Sequence, residues 1–278
     1  MKVYISADME GATGVVHPSH VTAAHPEYER VRRIWMDDIN AIVTGALEAG
    51  AGEVLVNDAH ALMANLLPEA LDHRAGYILG YLKPGNQMQG LDSTFDAAIL
   101  MAHSRAGTVS GVLSHTYVLR EVHDIRLNGL PAGEMTFNIA WAGLHGVPVV
   151  LVIGDAATAA EAAELVEGIH TVVTKVGLDP AAAQFPPVEE VRRRLREGAK
   201  SAVADRGHMR PWSPDSPFVL EMELSHPSMA HLVSFVPGVE RTGARTVTFR
   251  HDDFTAIWRV RIVATNLARL VSEQLFGR

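Results

Sequence analysis

Two carboxylates, Asp8 and Glu10, stand two residues apart where the apolar run Val3-Tyr4-Ile5 gives out. Residues two apart on a strand face the same way, so an extended chain through this point presents both acids to one side. Side by side they repel unless a cation, a proton or a basic partner lies between them, and a metal site is one natural solution. Further donors close later apolar runs: Asp58-Ala59-His60 follows Glu53-Val54-Leu55-Val56-Asn57, and His103 follows Ala97-Ala98-Ile99-Leu100-Met101-Ala102. Glu134 opens a helical pattern after Gly133. Asp8, Glu10, His60, His103 and Glu134 exceed the ligand set of a single catalytic zinc and suit a pair of ions with one carboxylate bridging. Two cations roughly 3.5–4 Å apart activate water and polarise a carbonyl, which is hydrolytic chemistry.

Taken singly, each of these residues has an ordinary role as well. Asp8 can cap the next turn, Glu10 can be a solvated acid, His60 and His103 can be polar loop residues, and Glu134 suits a first helical turn, where the dipole favours negative charge. Three strand ends carrying Asp-x-Glu, Asp-x-His and His are more than capping requires. Asp58 and Asp155 are candidates for orienting metal-bound imidazoles. Lys83 is read either as a carboxylate binder or as an exposed structural lysine. His17, His20 and His25, in a Gly/Pro-flanked loop with no carboxylate at ligand spacing, and His226 and His231, on or beside a predicted helix, are read as surface or packing residues. Gly11-Ala12-Thr13-Gly14 lacks the lysine and the spacing of a phosphate-binding loop.

The elements that must position the five donors follow from periodicity. Val31, Ile34, Trp35, Ile39, Ile42, Val43, Ala46 and Leu47 recur at helical spacing and predict a helix from Glu27 to about Ala49. The short, continuously apolar runs at 3–5, 53–57, 97–102 and 147–153 predict buried strands of a parallel sheet, in which ligands bind beyond the carboxyl ends. Gly107 to Leu130, with an Asn128-Gly129 turn, is expected to form a hairpin or a loop. Helices are predicted over 133–143, 156–169, 188–204, 227–236 and 253–276, and strands over 171–176, 218–224 and 245–250. The prolines of Arg210-Pro211-Trp212-Ser213-Pro214-Asp215-Ser216-Pro217 mark a linker. The fold class is therefore α/β, a mostly parallel central sheet flanked by helices, with a smaller C-terminal α+β portion. The expected domains are 1–210, carrying the metal site, and 211–278, a lobe packed on it.

Composition narrows the function. A net charge of −8 over 278 residues argues against nucleic acid or an anionic membrane as partner. The basic run Arg192-Arg193-Arg194 with Arg196 alternates with Glu189, Glu190 and Glu197, as on a solvated helix face. With no cysteine, thiolate nucleophiles and Cys-based metal sites are excluded, leaving 14 histidines and the carboxylates as the strong metal ligands. No apolar signal core or 18-residue apolar run occurs, and a soluble, cytoplasmic protein is expected.

The opening Tyr4-Ile5-Ser6-Ala7-Asp8-Met9-Glu10-Gly11 and Glu53-Val54-Leu55-Val56-Asn57-Asp58-Ala59-His60 resemble the zinc-dependent D-aminopeptidases of the DppA type. Lys83-Pro84, Gly90-Leu91-Asp92, Gly111-Val112-Leu113-Ser114-His115 and Gly133-Glu134 followed by Asn138 extend the resemblance in order and spacing to about residue 155, with a looser match through Lys175 and beyond. The resemblance implies two zinc ions per chain, with Asp8 bridging, Glu10 and His103 completing one ion, and His60 and Glu134 the other. It implies that His115 is the catalytic histidine; general acid/base or oxyanion-stabilising work suits it best where a metal already activates water. It also implies short peptide substrates with D-amino-acid (D-Ala) N-termini and a ring-shaped homo-oligomer, a decamer in the family. Two alternatives stay open at this stage. One is a two-metal amidohydrolase or phosphoesterase acting on a non-peptide substrate; the other is a non-catalytic metal or small-molecule binding protein.

Overall fold

In the computed structural model, which describes residues 1–277, the apolar runs become strands and the amphipathic segments become helices. The strands are β1 (Lys2–Ala7), β2 (Glu53–Asp58), β3 (Ala75–Ile78), β4 (Ala97–Met101), β5 (Val122–Leu127), β6 (Leu130–Pro131), β7 (Val149–Asp155), β8 (His170–Asp179), β9 (Ala182–Gln184), β10 (Phe218–Leu224), β11 (Glu240–Arg241) and β12 (Thr246–His251). The helices are α1 (Pro18–Val21), α2 (Tyr28–Glu48), α3 (Glu134–Leu144), α4 (Ala156–Leu165), α5 (Val188–Ala204), α6 (Pro227–Val233) and α7 (Phe254–Phe276).

The chain divides into two units. The first comprises Met1–Ser104, Thr108–Leu113 and Asn138–Ser213. Its seven-stranded sheet has the order β3-β2-β1-β4-β7-β8-β9, parallel throughout except for the last pair. β1, β4 and β7 are buried almost from end to end, as strands covered on both faces must be. α2 packs on α5 and β2, α5 on β7 and β8, and α4 on the same two strands. Strand order reverses between β1 and β4, the sheet's switch point, where parallel α/β sheets place ligands beyond the strand ends.

The second unit comprises Arg105–Gly107, Ser114–Phe137 and the chain from Pro214 onward. Its five-stranded antiparallel sheet has the order β11-β12-β10-β5-β6. Phe218, Leu220, Met222 and Leu224 alternate inward along β10, and α7 lies against β10, β12 and α6. The expected boundary at residues 210 and 211 differs from this division at 105–107 and 114–137, which cluster with the C-terminal segment. The cause is the β5–β6 hairpin. Asn128 and Gly129, both at positive φ, close it as a two-residue turn of the kind Asn-Gly favours, and β5 then pairs with β10 across about ninety residues of sequence. The unit break falls within α3, between Phe137 and Asn138.

Candidate metal centre

β1 ends at Ala7 and the chain does not stay extended: Met9–Gly11 forms one 3-10 turn with Asp8 as its cap. Asp8 Oδ1 accepts from Met9 N at 2.9 Å, and Asp8 N donates to Met101 O of β4 at 3.1 Å. Capping and ligation are therefore compatible roles for Asp8. The turn, rather than strand alternation, aims both acids at one ring. His60 Nδ1 lies 3.1 Å from Asp8 Oδ1 and 3.0 Å from Glu10 Oε2. His103 Nε2 lies 3.7 Å from Asp8 Oδ2. All four side chains are buried.

Ring contacts on the far side bear on what these groups can hold. His60 Nε2 is 2.7 Å from Val21 O and His103 Nδ1 is 3.0 Å from Ser104 O. A carbonyl only accepts, so each ring carries an N–H there; in its neutral form the ring turns the other nitrogen's lone pair toward the acids. Lone pairs and carboxylates converging in a buried space repel one another unless a proton or metal ion sits among them. Asp8, Glu10 and His60 offer ligand atoms within 4.8 Å of one another, and this oxygen and nitrogen set suits zinc. Electrostatics express the same tension. Burial, then the Glu10 charge, pushes the Asp8 carboxyl well above its usual range, against the pull of His60 and His103. Burial pulls His60 down, yet the charges and hydrogen bonds of Glu10 and Asp8 win and raise it well above an ordinary imidazole.

The loops that carry these groups are held from behind. Lys175 Nζ donates to Glu10 O at 2.5 Å and Ala12 O at 2.8 Å, and Thr174 Oγ1 donates to Gly11 O at 2.8 Å. Three consecutive carbonyls of the turn are thus bound by two adjacent residues of β8. Thr13 N donates to Asp38 Oδ2 of α2 at 2.8 Å. Gly11 is required by contact: a Cβ there would lie 2.7 Å from Ala102 O and 2.9 Å from Ala102 N. Asp58 accepts from the backbone N–H groups of His60, Asn65 and Leu66, so it shapes the His60 loop through the backbone. Asp155 accepts from Val112 N and caps α4. Lys83 is buried, not exposed, and its Nζ donates to Asn57 Oδ1 and Asp58 O, both at 2.6 Å. His17 and His226 cap short helices.

His115 and Glu134 belong to the second unit. His115 Nε2 lies 3.7 Å from Glu134 Oε1, which also accepts from Tyr117 N. Glu134 opens α3, as the helical pattern predicts. Sequence reasoning did not find Thr174 or Tyr117, it left Asp38 to the solvated face of its helix although the residue is buried, and it met Lys175 only as part of a family match. The available signal was a lysine inside the apolar run Val172 to Val176, which a buried strand tolerates only when its ammonium is fully bonded.

Buried acids and imidazoles gathered at the switch point of a parallel α/β sheet are the kind of donor set a metal-dependent hydrolase uses. The family model described as D-aminopeptidase matches residues 1–262, and the chain belongs to this family of metallopeptidases. It is 33% identical over 273 residues to a D-aminopeptidase of Bacillus subtilis (strain 168), covering 98% of this chain and 99% of the relative. A solved structure, described as the Zn-dependent D-aminopeptidase DppA from Bacillus subtilis, a self-compartmentalizing protease, superposes with a TM-score of 0.94. Identity to that protein is 35%, covering 97% of this chain and 98% of the other.

Proposed function

We propose that this peptidase binds two zinc ions through Asp8, Glu10, His60, His103 and Glu134, and removes D-amino acids such as D-Ala from the N-termini of short peptides. The observation that carries the reading is the pair of carboxylates, Asp8 and Glu10, converging on His60 Nδ1 at 3.0–3.1 Å while His60 Nε2 is tied to Val21 O. Zinc, when bound, supplies Lewis acidity and an activated water at neutral pH. Asp8 and Glu10 contribute negative charge that the rigid turn cannot swing away. His60 and His103 are oriented by their carbonyl partners, so their other ring nitrogens need little reorganisation to act as ligands. His115, beside Glu134, holds or delivers a proton to the departing amine, or donates to the developing oxyanion.

The similarity to a self-compartmentalizing zinc-dependent D-aminopeptidase supports zinc, D-selectivity and self-assembly; on this reading the assembly is a ring, a decamer, and it works in the cytoplasm. Among the described residues no helix is long and apolar enough to cross a membrane. The test is metal content measured together with hydrolysis of matched D- and L-Ala dipeptides, before and after chelation. Two zinc per chain with D-selective, chelator-sensitive cleavage is expected; metal without cleavage of either isomer overturns the substrate, and failure to bind zinc overturns the site.

A further inference from the structure

We propose that Arg261 is a positioning residue for His115 and Glu134, acting through the ring of Tyr117; this rests on the reading of His115 and Glu134 as working groups. Arg261 projects from α7 into the second unit's core, where it is 1% exposed. Its guanidinium carbon lies 4.0 Å from the centroid of the Tyr117 ring and 4.5 Å from that of Trp258. The cation thus sits against two aromatic faces away from water, the setting in which a cation–π contact is strongest. Phe137 meets the Tyr117 ring edge-on, with centroids 6.1 Å apart.

Tyr117 needs such a hold. Its φ is +64°, a left-handed conformation rare for a bulky side chain. Its hydroxyl is buried with no hydrogen-bond partner among the described residues, so the ring, not the hydroxyl, anchors it. In that conformation the Tyr117 N–H points at Glu134 Oε1. His115 stands two residues earlier, with Nε2 3.7 Å from the same oxygen. Arg261 therefore secures the ring, the ring secures the left-handed turn, and the turn sets Glu134 and His115 against each other. A lysine keeps the charge but not the plane that lies over both faces.

The experiment compares Arg261→Met, Arg261→Lys, Tyr117→Leu and Tyr117→Phe on the zinc-loaded protein, well below each variant's melting temperature, with His115→Ala alongside. For Arg261→Met and Tyr117→Leu, kcat should fall about tenfold or more with KM changed less than about twofold, since small misplacements of working groups cost that much. Arg261→Lys should fall between these and the wild type, and Tyr117→Phe should match the wild type. Hydrogen exchange of the Tyr117 amide, read on the metal-free protein, should accelerate in Arg261→Met and Tyr117→Leu alone. Ile257→Val, a buried change in the same helix, controls for stability and should leave kcat unaltered. Unchanged kcat and amide protection in Arg261→Met and Tyr117→Leu overturn the proposal, as does a loss in Tyr117→Phe equal to that in Tyr117→Leu. Full activity in His115→Ala would instead overturn the underlying reading of His115.

Discussion

At the scale of single residues, the centre is a case of several weak roles made strong by convergence. Asp8→Asn and His60→Ala are each expected to lose bound metal and to lower kcat/KM by more than about 100-fold, since even partners one layer further out matter by about 10- to 100-fold. Inductively coupled plasma measurement of zinc beside dipeptide assays decides it; full metal with full activity would exclude these residues as ligands. Gly11→Ala is expected to destabilise the fold by about 1–3 kcal/mol, because its Cβ would press on the Ala102 backbone, which cannot rotate away; urea unfolding reads this directly. Asp8, Glu10, His60 and His103 stand out in the sequence because they follow apolar runs, and Glu134 because it opens a helical pattern. The way they meet does not: strand alternation predicts an extended Asp8-Met9-Glu10, whereas the turn at Met9–Gly11 brings the acids together. The supporting bonds from Lys175 and Thr174 span more than 160 residues, a distance that no local pattern encodes.

At the scale of elements, the long amphipathic helices and apolar strands fell within a few residues of expectation, since each carries its own periodic signal. β3, four residues at the sheet edge, and β9, three residues long, escaped it. Both are too short for a period to register, and their pairing is decided by their neighbours. α2 makes its own prediction through Asp38, which is fully buried and accepts from Thr13 N. Burial, opposed by those hydrogen bonds and by Arg192 and Lys175, pushes its carboxyl up to about 6 from an ordinary 3.8. A folded-state value above the unfolded one means that the group's contribution is most favourable below about pH 4 and is lost as pH rises through about 6. Asp38→Asn removes that dependence, so its stability relative to the parent chain should rise by about 2 kcal/mol between pH 4 and pH 7. Denaturant unfolding across that range tests this, and a difference that does not vary with pH would refute it.

At the scale of the whole molecule, metal and fold should be linked, because ligands that repel one another without a cation gain from its presence. Exhaustive chelation is expected to abolish peptide cleavage and lower the melting temperature by several degrees, with zinc restoring both; an unchanged melting temperature would mean that the ions contribute nothing to stability. Light scattering should return a multiple of the chain mass if the chain assembles as its self-compartmentalizing relative does. The placement of β1 has a consequence for the nascent chain. β1 lies at the middle of the parallel sheet, yet it leaves the ribosome before both strands that flank it and long before the lysine that ties down its terminal turn. Until β2 and then β4 have emerged, its backbone donors and acceptors stand open, a template for wrong pairing that a chaperone would shield. The bonds from Lys175 that fix the turn carrying Asp8 and Glu10 therefore form only after residue 175 has emerged, so that turn takes its final shape late in synthesis.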